Sequence, residues 1–82
     1  MKAKERIIQM VEEFVTYDAE VTRESKITDL RIDYEGMTDL KDGINSEYDI
    51  NMTVVDMFGS DWENATVGEL VDNVLKRLGR LK

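Results

Sequence analysis

Apolar residues recur at spacings of three and four in separate stretches of this chain, the period of helices laid against a shared core. Ile7, Met10, Val11, Phe14 and Val15 form one such stripe and predict a helix from about Lys2 to Tyr17. A mostly polar connector follows, Asp18 to Ile32, in which Val21, Ile27, Leu30 and Ile32 are spaced to pin a long loop onto the core. A second helix is predicted from about Tyr34 to Tyr48, with Asp33 as its N-cap and Met37, Leu40, Ile44 and Tyr48 on one face. Gly36 and Gly43 weaken it, since a helix-interior glycine costs about 1 kcal/mol relative to alanine.

A third, short helix is predicted over about Thr53 to Phe58, opened by Thr53 and Asp56 in a capping box and closed by Gly59. Thr66-Val67-Gly68-Glu69 forms another capping box, and Val67, Leu70, Val71, Val74, Leu75 and Leu78 follow it at helical spacing. Lys76, Arg77, Arg80 and Lys82 sit near the end of this last helix, where cations suit the dipole. Polar and apolar residues nowhere alternate long enough for a half-buried strand, although Ile50 to Val55 can be mistaken for one. The expectation is therefore an all-α fold: a four-helix bundle of three longer helices and a short one, with a long first loop, forming a single domain over residues 1–82.

With 82 residues there is room for one core, and 41% hydrophobic against 35% charged residues is too apolar a mixture for a disordered chain. The absence of cysteine removes thiolate chemistry and disulfides, and the absence of histidine removes the commonest general base and transition-metal ligand. An enzyme of the hydrolase or zinc type is thereby disfavoured. No apolar run approaches the roughly 18 residues of a membrane span, and the first residues enter an amphipathic pattern instead of a signal-peptide core, so a soluble, cytoplasmic monomer is expected.

The net charge of -7 is unevenly distributed: the stretch from Asp29 to Asp72 carries twelve acidic residues against Arg31 and Lys41. An acidic middle argues against nucleic acid and for a basic protein partner, because a one-signed surface speeds association by roughly 10- to 1,000-fold at low salt. The plainer alternative is a solvated face that keeps a small protein soluble.

Particular residues resemble the acyl carrier protein family. The connector Val21-Thr22-Arg23-Glu24-Ser25-Lys26-Ile27-Thr28-Asp29-Leu30 is similar to the family's approach to its Asp-Leu-Gly turn; Asp33, Leu40, Ile44 and Tyr48 follow its second helix in register. Ala65-Thr66-Val67-Gly68-Glu69-Leu70-Val71-Asp72 is similar to the start of its last helix. The resemblance spans about 70 residues and implies a carrier-like bundle with a role in fatty-acid, polyketide or peptide-type biosynthesis. In that family an Asp-Ser-Leu triplet opens the second helix, and its serine carries the 4'-phosphopantetheine arm. Here the triplet is Asp33-Tyr34-Glu35, and Arg31 stands where the glycine after Asp-Leu is usual. Neither Ser25, Ser46 nor Ser60 reproduces the triplet, so no attachment residue and no phosphopantetheine are expected. What the resemblance still implies is a docking surface for a basic biosynthetic enzyme, carried by Asp33, Tyr34, Glu35, Asp39, Asp42 and Glu47.

Two other classes compete: an acidic inhibitor or immunity-type protein that neutralises a basic enzyme, and a carrier-like binder holding a free lipid between its helices. A calcium loop does not fit, since aligning Gly36 with the invariant glycine puts Arg31 at the first ligand position, and no metal is expected. Asp61 and Glu63 are expected as solvated loop residues rather than an acid–base pair. Tyr34 is expected to pack on Met37 or the connector, with partner recognition or a plug over an acyl cavity as alternatives. Met37, Met52 and Met57 are expected to fill the core in preference to lining a cleft, and Trp62 to lie as a lid on the bundle end in preference to anchoring an interface.

Overall fold

The structure, a computed structural model, describes residues 2–15 and 18–79. Among these residues there are four α-helices and no strand: α1 (Ala3–Phe14), α2 (Tyr34–Tyr48), α3 (Val54–Phe58) and α4 (Val67–Arg77), with 3-10 turns at Thr28–Leu30 and Trp62–Asn64.

α2 starts where its cap chemistry dictates. The Asp33 carboxylate accepts the Gly36 amide at 2.8 Å and satisfies one of the donors a helix start leaves open. α3 and α4 begin with the two predicted capping boxes. In α4 the Thr66 hydroxyl accepts the Glu69 amide while the Glu69 carboxylate accepts the Thr66 amide, both at 3.2 Å. α1 ends earlier than its apolar stripe suggests: Val15 is extended and half-buried against the core beyond the last helical residue, so the stripe outlasts the helix. Tyr17, the predicted end, and Arg80 and Lys82, the predicted terminal cations, lie outside the described residues.

One apolar cluster joins all four helices and the connector. Ile7 and Val11 of α1, Met37, Leu40 and Ile44 of α2, Met57 and Phe58 of α3, and Leu70, Val71 and Val74 of α4 are fully or almost fully buried in it. Ile27, Leu30 and Ile32 join them, as expected for a pinned loop. Met37, Met52 and Met57 are all buried core residues.

The connector is held by more than apolar contact. The Val67 and Gly68 amides at the start of α4 donate to the carbonyls of Ser25 and Arg23 at 2.8 and 2.9 Å, and the Ile27 amide donates to the Ala65 carbonyl at 3.0 Å. Gly68 suits this closeness, because a Cβ there would lie 3.0 Å from the Arg23 carbonyl oxygen, tighter than an ordinary contact. The Arg23 guanidinium also reaches Asp72 at 2.8 Å, and this hydrogen bond is the main reason its pKa is raised. The loop thus fixes where α2 begins, and with it the surface described next.

Candidate functional site, the outer face of the second helix

At 100° per residue, α2 presents three lateral faces besides its buried one. Glu35, Asp39, Asp42 and Ser46 lie on the face opposite the core, a stripe of carboxylates directed at solvent. Tyr34, Thr38, Lys41 and Asn45 turn toward α3. Glu47 turns toward α1, where its carboxylate meets Arg6 at 3.2 Å.

The six predicted docking residues are therefore not equivalent. Glu35, Asp39 and Asp42 share the outward stripe; Glu35 and Asp39 make no hydrogen bond or ion pair among the described residues, and Asp42 pairs only with its neighbour Lys41 at 2.6 Å. Asp33 stands at the head of the helix but has one oxygen committed to the Gly36 amide. Glu47 is correctly placed on α2 yet departs from the stripe. It is tied to Arg6, which also reaches Glu13 at 3.3 Å, and it serves as a bridge between α1 and α2. The Glu47 hydrogen bond is the main cause of the raised Arg6 pKa.

The expectation placed Tyr34 on Met37 or the connector, and the structure adds a partner it did not name. Its ring meets the ring of Trp62 edge to face, with centroids 5.1 Å apart and planes at 64°. Met37 is buried on the core side of α2, whereas Tyr34, the first helical residue, meets the Trp62–Asn64 turn through the Trp62 ring. Trp62 is half-buried and closes over the core, as a lid does. Tyr34 remains 51% exposed even so.

Hollows open on both sides of Tyr34. One, about 440 Å³, is lined by Thr28, Arg31, Ile32, Asp33, Trp62 and Glu63. The other, about 320 Å³, runs between α2 and α3 past Thr38, Lys41, Met52 and Val55. Val55 was not singled out from the sequence, although the signal was there. Val54, Met57 and Phe58 occupy the buried positions of α3, so the spacing leaves Val55 outside, and it is 54% exposed.

The chemistry at the head of α2 is that of a phenol, not a primary alcohol. The nearest alcohol on the helix, Thr38, donates to the Tyr34 carbonyl at 3.1 Å, and the Ser25 hydroxyl accepts the Thr22 amide at 3.0 Å within the connector. Ser46 lies within α2 and Ser60 follows α3, neither at a capped helix start. Among the described residues no three carboxylates converge as a cation site, and no helix is long and apolar enough to cross a membrane. Compared with known proteins, the chain matches no family model, no curated protein and no solved structure.

Proposed function

We propose that this chain is an acyl-carrier-like, non-enzymatic protein-interaction module that works without a prosthetic arm and docks through α2 to a basic enzyme of fatty-acid, polyketide or peptide-type biosynthesis. The observation that carries the reading is the head of α2: an Asp33 cap, a first helical residue that is Tyr34 in place of the family's serine, and an outward stripe of Glu35, Asp39 and Asp42. The long ordered connector and the order of the four helices support the same reading. Exposed ion pairs are worth about 0–1 kcal/mol each, so the stripe serves to steer and orient the partner more than to hold it.

Two measurements test this. Co-expression with a phosphopantetheinyl transferase should leave the intact mass unchanged; a gain of the mass of the arm overturns the arm-less reading. Association with a basic carrier-handling synthase should slow as salt rises from low to physiological concentration, and Asp39→Asn with Asp42→Asn should slow it at low salt without changing the fold. Rates indifferent to both salt and these substitutions would remove the docking role.

A further inference from the structure

The acidic stripe explains attraction but offers no apolar area, and the apolar area lies beside it. Tyr34 and Val55 are the large hydrophobic side chains most exposed among the described residues, at 51% and 54%, and they stand on adjacent helices, with Trp62 against Tyr34. Because Tyr34 lines both hollows, it is a ridge with a depression of about 440 Å³ on one side and about 320 Å³ on the other. Depressions of that size take large side chains. We propose that this ridge is where a protein partner lays down a basic amphipathic helix, its apolar side chains straddling Tyr34 and its cations meeting the carboxylates of α2; the inference rests on the docking reading above and adds what the partner must present.

The choice of a helix follows from what the surface lacks. The described residues carry no strand with an open edge, so an extended segment would gain no main-chain bonds here, whereas a helix satisfies its own backbone and needs only side-chain hollows. The choice of a basic one follows from the surrounding charge. Asp33 and Glu63 border the larger hollow, and Glu35, Asp39 and Asp42 run along the next face of α2. Arg31 and Lys41 also line the hollows, but Lys41 is bonded to Asp42, and the carboxylates outnumber both cations. Aromatic residues in such positions dominate interface energetics, with neighbouring polar contacts setting orientation.

Trp62 is the only tryptophan in the chain, so its emission reports occupation of the ridge. The intact protein is titrated with a synthetic helical peptide of leucine and arginine arranged with one apolar face, with a scrambled peptide of identical composition, and with a leucine–glutamate counterpart; affinities are read by calorimetry. The amphipathic arginine peptide should bind saturably and shift Trp62 emission. Tyr34→Ser and, separately, Val55→Ser should each weaken it by about tenfold, with helical content unchanged because both side chains are half exposed. Equal binding of the scrambled peptide, with both substitutions silent, overturns the ridge while leaving charge-driven docking intact. Equal binding of the glutamate peptide overturns the basic partner and with it the docking reading. Failure of every peptide to bind overturns the ridge as a helix site.

Discussion

Arg31 ends the first 3-10 turn at φ 63°, ψ 30°, the left-handed conformation that costs a residue bearing a Cβ about 1–2 kcal/mol. This is the position where the resemblance places glycine, so the backbone keeps the demand that glycine would meet and the chain meets it with a cation. Arg31→Gly should raise stability by about 0.5–1 kcal/mol, a few degrees in Tm for a domain of this size. Gly43 presents the opposite case. It lies inside α2, and a Cβ there would touch the Met10 methyl at 3.5 Å, an ordinary contact. Gly43→Ala should therefore stabilise by about 0.5–1 kcal/mol in thermal unfolding. The same replacement at Gly68 should destabilise, because the Arg23 carbonyl is in the way. Only one of these three outcomes, Gly43, was legible from helix propensity; the other two depend on a turn and a close approach between segments far apart in sequence.

At the scale of elements, α3 is too short to be stable by itself and is held from both sides. Asn45 of α2 donates to the Met52 carbonyl at 2.9 Å and accepts the Met52 amide at 3.0 Å, while Asn73 of α4 donates to the Met57 carbonyl at 2.7 Å. Asn45→Ala leaves both Met52 groups without these partners and should cost about 1–3 kcal/mol, visible as faster amide exchange through residues 52–58 before the rest of the bundle. Asp56 adds a pH dependence. Its carboxylate accepts the Thr53 amide at 3.0 Å, while the Thr53 hydroxyl accepts the Asp56 amide at 3.1 Å; the carboxylate also lies 3.9 Å from Arg77, and the Thr53 amide bond is the main cause of a lowered pKa. A carboxyl whose folded pKa is depressed stabilises the fold above its unfolded value and loses that contribution as pH falls through the folded one. The stability gap between the wild type and Asp56→Asn should thus be present near neutral pH and close below about pH 4; a gap that stays constant in acid would show that the carboxylate charge is irrelevant. Helix starts were legible in the sequence because a cap is local: Asp33, Thr53 and Thr66 each act within three residues. The end of α1 and both 3-10 turns were not, since no glycine or proline marks them and bonds such as Ile27 to Ala65 cross the chain.

Across the whole molecule, the apolar period gave the core correctly, from Ile7 through Leu40 to Val74, because burial follows spacing wherever a helix has one inward face. Leu40 is fully buried in the common core, and Leu40→Ala should cost about 2–5 kcal/mol in denaturant unfolding. The acidic outer face of α2 was legible only in part. Its charges were visible as composition, but the separation of Glu47 from the stripe and the meeting of Tyr34 with Trp62 required the bundle to be assembled.

The seam between the connector and α4 has a bearing on how this chain comes to be folded. Val67 and Gly68 find their acceptors in Ser25 and Arg23, so the final helix has two bare amides at its head until a much earlier stretch has settled. A peptide limited to residues 60–79 should be largely coil by circular dichroism, and in the intact protein those two amides should exchange with deuterium only as fast as the molecule unravels globally. The head of α4 is thus completed only once the connector has taken its place, which joins these two distant segments in one cooperative step.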